Sequence, residues 1–128
     1  GYAYVWRVDP DYARERSVSL RNMTRAIVAA LQAEGVELAQ ANWLLPAHAV
    51  FQAKNAFGHG APWGYARPEI SYDLGQYPVA QDCVDACLWN VNTHRPPNGE
   101  LQIRALAEAV RKVFTNLDQV PVSQAPTA

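Results

Sequence analysis

Tyr77-Pro-Val-Ala-Gln-Asp-Cys-Val-Asp-Ala-Cys-Leu-Trp-Asn-Val-Asn-Thr-His-Arg-Pro-Pro-Asn98 is the stretch on which the fold turns. Pro78 suits the first position of a helix, where its missing N–H would have no partner anyway. Ala80, Cys83, Val84, Cys87 and Leu88 follow at helical spacing and predict the buried stripe of that helix. Leu88–Val91 is short and apolar enough for a strand, and Pro96-Pro97 bars any helix before Asn98. Asn98 then predicts the cap of a second helix with Ile103, Leu106, Ala107, Val110 and Phe114 on its core face. Glu100–Arg104 and Glu108–Lys112 stand at i,i+4 on its outer side. The pattern is helix, short strand, helix.

Upstream, Tyr2, Tyr4, Trp6 and Val8 alternate with Ala3, Val5 and Arg7 and predict a strand, which Asp9-Pro10-Asp11 stops. The chain opens almost within this strand, which leads us to expect a cut at a domain edge. Residues 11–22 are polar and arginine-rich and read as a loop. Thr24 is placed to cap a helix carrying Ile27, Ala30 and Leu31, and Gly35 stands where a left-handed C-terminal cap belongs. Val36–Leu38 then reads as a short strand. From Ala41 to Tyr77 no period survives. That long segment reads either as a binding loop, rich in aromatics and glycines with His48, His59 and Lys54, or as an irregular strap whose aromatics plug the core. Three short strands with helices packed on one face predict an α+β fold over residues 1–118, with a flexible Pro/Ser/Gln/Thr tail over 119–128.

Composition narrows the function classes. Hydrophobic residues make up 49% of the 128 and charged residues 18%, a balance that fits one folded domain rather than a disordered chain. A formal charge of −1 gives no electrostatic reason to expect nucleic acid or an anionic membrane as a partner. No apolar run approaches the ~20 residues of a membrane span. Cys83 and Cys87, four apart, would share one helix face with parallel Cβ vectors, poor geometry for a disulfide. No further ligands sit at a spacing that would make a metal site with them. They read as buried thiols, which leads us to expect a reducing, cytoplasmic compartment.

In order and spacing, four motifs resemble the C-terminal small domain of the DegT/DnrJ/StrS family of pyridoxal-phosphate (PLP) aminotransferases. Tyr2-Ala-Tyr-Val-Trp-Arg-Val8 is similar to the strand that opens that domain, and Arg25-Ala-Ile-Val-Ala-Ala-Leu-Gln-Ala-Glu-Gly-Val36 to its helix ending in Leu-x-x-Glu-Gly-(Ile/Val). Leu45-Pro-Ala-His48 resembles its Pro-Leu-His turn, with Ala47 where leucine is usual. Tyr77-Pro-Val-Ala-Gln81 resembles its aromatic-Pro-Val-Ala-Glu helix start, with Gln81 in place of the acid. Leu88-Trp89 stands where Leu-Pro is common. The loop Lys54-Asn-Ala-Phe-Gly-His-Gly-Ala-Pro-Trp-Gly64 is similar to a Gly-rich, Pro-aromatic segment of members acting on inososes or aminohydroxybenzoate precursors.

The resemblance implies the small domain of a fold-type I enzyme acting on a keto-sugar or cyclitol, working as a homodimer or in another self-association. His48 matches the residue that family members turn toward the substrate. With the loop chemistry it implies that His59 and Trp63 wall the same pocket and that Lys54 meets a substrate anion. The Schiff-base lysine belongs to the family's large domain. Lys54 lies outside that motif, and Lys112, the one other lysine, falls late in an amphipathic helix. No Gly-rich phosphate cradle is present at P-loop spacing. This chain is therefore expected to hold no catalytic residue and to bind PLP only with a missing large domain as partner. The other reading is a freestanding binding or scaffold module derived from that domain. His94, beside Arg95-Pro-Pro97, reads as a turn residue.

Overall fold

The computed structural model describes residues 3–40, 44–66, 69–90, 92–93 and 95–123. Tyr2, Val91 and His94, which carry parts of the strand and turn readings, lie outside the described residues. The chain divides into two compact units, one formed by Gly1–Ala41 with Asp85–Ala128, the other by Asn42–Val84. The described residues form an α+β fold with six helices and one small antiparallel sheet.

The first unit is built around that sheet, in the order β1 (Tyr4–Arg7), β3 (Cys87–Asn90), β2 (Ala39–Gln40). Both neighbours run antiparallel to β3, with Trp6 opposite Leu88, Val5 opposite Trp89 and Ala39 also opposite Trp89. Alternation along β3 sorts its two faces. Leu88 and Asn90 are wholly buried, whereas Trp89, Val5 and Ala39 form a sheet face open to solvent. The expected strand over Leu88–Val91 thus begins one residue earlier, because α5 (Pro78–Ala86) stops at Ala86 and the Val8 N–H donates to the Ala86 carbonyl at 2.9 Å.

That boundary also corrects the stripe expected on α5. Ala80 and Cys83 are exposed, Val84 is half-buried, and Cys87 and Leu88 belong to the strand. Apolar residues at helical spacing carried straight across a helix–strand junction, where the period changes from 3.6 to 2. The two thiols accordingly do not share a helix face, and neither is buried: Cys83 is exposed and Cys87 half-buried.

The loop expected over residues 11–22 is largely helical. Asp9 caps α1 (Pro10–Glu15), its carboxylate accepting from the Asp11 N–H at 2.9 Å, and Pro10 takes the first turn. Only Ala13 of this helix is buried, so six residues offered no period to read. The next helix, α2 (Leu20–Ala33), is capped by Ser19, whose hydroxyl accepts from the Asn22 N–H at 3.2 Å. Thr24 is therefore not a cap; it sits mid-helix and wholly buried. The true stripe starts a turn earlier, with Met23, Ile27, Val28 and Leu31 in the core.

At the other end of α2 the reading of Gly35 holds. Its φ is +83°, its N–H donates to the Gln32 carbonyl and the Val36 N–H donates to that of Leu31, the two bonds of a Schellman motif. Val36 and Leu38 point into the core as a strand would place them, but the paired residues are Ala39–Gln40. Beside them the Asn90 side-chain amide, rather than a backbone ladder, donates to the Glu37 carbonyl at 2.7 Å.

The last helix, α6 (Glu100–Thr115), is capped by Gly99 rather than Asn98, the Gln102 side chain accepting from the Gly99 N–H at 2.9 Å. Its core face is also rotated from the expected one. Ala109 and Val113 are buried and Leu106 and Val110 half-buried, while Ile103, Ala107 and Phe114 are exposed. Apolar residues occupy more than half of the circumference of α6, so their spacing allows several facings. Glu100 and Arg104 pair as expected at 2.6 Å, but Lys112 reaches Glu34, the C-cap of α2, at 2.8 Å instead of Glu108. Arg21 and Asp85, both mostly buried, pair at 2.6 Å and tie the start of α2 to the entry of β3. In the tail, Leu117–Gln119 makes a 3-10 turn and Val120 and Val122 pack against the core; residues 124–128 lie outside the described residues.

Two buried side-chain polar atoms, the Thr24 hydroxyl and the Asn90 amide oxygen, stand without a hydrogen-bond partner among the described residues. Thr24→Val keeps the shape and removes a group buried at a loss, so it is expected to be neutral or to stabilise the protein by up to about 1 kcal/mol, read from the urea midpoint.

Candidate functional site

The four residues singled out in sequence, His48, Lys54, His59 and Trp63, all fall in the second unit. Its polypeptide is irregular: a 3-10 turn at Leu45–Ala47, α3 (Ala49–Gln52), α4 (Trp63–Ala66) and a 3-10 turn at Leu74–Gln76. The expected loop is thus a compact unit of short helical turns, too brief for any of them to show a period. It is held by side chains. Gln52 donates through Nε2 to the carbonyls of Pro46 at 2.7 Å and Tyr72 at 3.0 Å, joining segments twenty residues apart. Phe51, Trp63 and Tyr72 form a three-ring cluster with centroids 5.2–6.2 Å apart, and the Trp63 indole N–H donates to the Tyr72 hydroxyl at 2.8 Å. Edge-to-face pairs of this kind contribute about 0.5–1.5 kcal/mol each beyond their burial. Trp63 is therefore first a clamp of its own unit.

The other three lie at the two ends of α3 and in the turn that follows it. His48, exposed, opens α3, and Lys54, half-buried, follows its end. Lys54 has φ +48°, and Gly58, His59 and Gly60 have φ +87°, +53° and +74°, all left-handed. For the two non-glycine residues that conformation costs on the order of 1 kcal/mol each. Ala56 and Ala61 brace the loop, the Ala56 N–H donating to the Ala61 carbonyl and the Ala61 N–H to the Gly58 carbonyl, each at 2.9 Å. His59 is thereby held outward at the tip, and Phe57 and Tyr65 are more than four-fifths exposed beside it in sequence. Phe51, Tyr72 and Gln52 carry the local architecture, yet spacing alone did not single them out, because their partners lie six to twenty-one residues away.

A polar recess of about 260 Å³ in the first unit is lined by Glu34, Glu37, Asn92, Thr93, Asn98 and Gln102, among others. Its lining is bonded internally: the Asn92 side-chain amide donates to the Glu37 carboxylate, and that of Asn98 to the Asn92 backbone carbonyl at 3.1 Å. Among the described residues no group of three or more His, Cys, Asp or Glu side chains is placed to hold a metal ion, and no helix is long and apolar enough to cross a membrane.

Among the described residues the two lysines are engaged elsewhere than in a cofactor site: Lys112 is paired with Glu34 on a solvated helix flank, and Lys54 stands in a backbone turn of the second unit. No protein-family model matches the chain, and no curated protein matches it either.

Proposed function

We propose that this chain is the C-terminal small domain of a PLP-dependent aminotransferase acting on a keto-sugar or cyclitol, forming a wall of the substrate pocket while the chemistry resides in a large partner domain. The observation that supports this reading is the braced loop of the second unit. Lys54 and His59 hold left-handed backbone conformations in the unit that carries the Phe51–Trp63–Tyr72 cluster, and we read their side chains as a polar and cationic rim whose backbone is fixed before binding. Such a rim suits the hydroxyl groups and any anionic substituent of a cyclic polyol. A second reading, a binding module without chemistry, draws on Phe57 and Tyr65, which are exposed beyond what a small polyol requires.

Both halves of the first reading are testable. Titrating an inosose into the isotope-labelled chain is expected to shift the amide resonances of His48, Lys54 and His59 and the indole resonance of Trp63, leaving the first unit unchanged. Silence at all four overturns the pocket assignment and favours the binding module. Incubation with PLP and an amino donor is expected to give neither an aldimine absorbance band nor pyridoxamine. Sustained pyridoxamine formation by these 128 residues overturns the placement of the chemistry in a partner domain.

A further inference from the structure

We infer that Asn98 is a self-modification site, converted by attack of the Gly99 backbone nitrogen into aspartate and isoaspartate, and that the cap of α6 gates the conversion. The inference is independent of the function proposed above. Asparagine is among the thermally labile residues, because a following amide nitrogen can close a ring on its side-chain carbonyl. The ring closes readily where the following residue has no Cβ to hinder the approach. Of the seven asparagines, Asn98 alone is followed by glycine, and both residues are exposed. The fold gives no reason of its own for that glycine. Gly99 has φ −128° and ψ −160°, extended backbone open to any residue, and a Cβ placed there would meet only the Gln102 Oε1 within 4 Å, at an ordinary 3.8 Å.

The chemistry draws on this chain and water alone. Hydroxide removes the Gly99 amide proton, and the nitrogen forms a bond to Cγ of Asn98. The Cγ–Nδ2 bond breaks and Nδ2 leaves as ammonia, taking a proton from water, so that a cyclic imide remains. Water then opens the imide: breaking the new N–Cγ bond gives aspartate, and breaking the original peptide bond gives isoaspartate, with the chain running through Cγ. The folded chain holds both reacting groups back. The Gly99 N–H donates to the Gln102 Oε1 at 2.9 Å, so its proton is covered, and the Asn98 side-chain amide donates to the Asn92 carbonyl at 3.1 Å. Conversion therefore waits on opening of the first turn of α6, and helix ends open at low cost. It also runs one way. A carboxylate at position 98 cannot donate to the Asn92 carbonyl, and it adds a negative charge to a recess already lined by Glu34 and Glu37. The turn from Asn92 to Asn98 thus loses a tether, and isoaspartate lengthens the chain directly before the α6 cap.

Peptide mass spectrometry of the folded chain held at mildly alkaline pH is expected to show Asn98 accumulating both products before any other asparagine, and faster as the pH rises. Gly99→Ala is expected to abolish the conversion, with circular dichroism unchanged. Gln102→Ala, a change at an exposed position, is expected to raise the rate about threefold to tenfold, the factor given by the loss of one ordinary hydrogen bond. Asn98 left intact in the folded wild type, conversion undiminished in Gly99→Ala, or a rate in Gln102→Ala no higher than that of the wild type overturns the inference.

Discussion

Shortening Leu88 to alanine is expected to lower the unfolding free energy by about 3–4 kcal/mol, more than half the stability of a marginal domain. Leu88 is wholly buried at the centre of the only sheet among the described residues, opposite Trp6 on one side and Gln40 on the other. Met23, Ile27 and Leu31 of α2 belong to the same core cluster, as do Ala109 and Val113 of α6. The loss combines the transfer of the missing methylene and methyl groups with the cavity they leave. Collapse is restricted because the strand is hydrogen-bonded on both edges and cannot move inward alone. Thermal unfolding should register the change as a fall in midpoint of well over about 10 °C, given roughly 4–8 °C per kcal/mol for a unit of this size. Trp89→Ala, next in sequence but on the open face, is expected to cost far less, and the contrast between the two is the sharper measurement. Equal losses would show that the two faces of β3 are not distinguished as described.

Replacing Asn90 by aspartate is expected to cost about 3–5 kcal/mol at neutral pH, with a pH dependence that the parent protein does not share. The Asn90 amide is fully buried and donates to the Glu37 carbonyl at 2.7 Å and the Thr93 hydroxyl at 2.8 Å, while its own oxygen accepts nothing. Aspartate removes both donors and turns a carboxylate toward a carbonyl oxygen. Burial without a cation pushes the carboxyl pKa of the folded variant above its unfolded value. The folded state then holds the proton more tightly than the unfolded one. Below the ordinary aspartate range, near pH ~4, the acid is neutral in both states and only the lost hydrogen bonds are felt. As pH rises through that range the unfolded chain ionises first, and the deficit grows until the buried group ionises too. Urea unfolding from acid to neutral pH should show the variant losing ground to the wild type as pH increases. A constant difference would mean that the site admits water. Asn90→Ala, which leaves the partners unsatisfied without adding charge, should cost only about 1–3 kcal/mol at every pH.

Much of the first unit was legible in sequence because its elements are long enough to repeat. The α2 stripe through Ile27 and Leu31, the left-handed Gly35 and the Trp6/Val8 alternation were each carried by a local rule that the folded chain obeys, as was the Pro78 helix start in the second unit. The misreadings share a cause as well. Ser19 and Thr24 both qualify as caps by chemistry, and Met23, one turn before Ile27, decides between them only once its burial is known. The stripe across Ala80–Leu88 continued through a junction that spacing does not mark. On α6, apolar residues surround so much of the helix that α2 packing against it, through Ala109 and Val113, selects the inward side.

For the candidate site, residue types made His48, Lys54, His59 and Trp63 visible, since an aperiodic run of aromatics, glycines and histidines is unusual within a compact chain. What Trp63 does there was not visible, because Tyr72 and Phe51, its partners, reach it through turns of only three or four residues each.

By itself the sequence determined the opening strand, the α2 stripe through Ile27 and Leu31 with its glycine end at Gly35, and the helix start at Pro78, since glycine conformation and hydrophobic period act within a turn or two of the chain. Only the tertiary structure decided which face of α6 is buried, that Lys112 pairs with Glu34, that Asn90 closes the gap beside β2, and that Arg21 meets Asp85. Those choices depend on contacts between residues 53 to 78 positions apart, whose energies exist only after the intervening chain has folded.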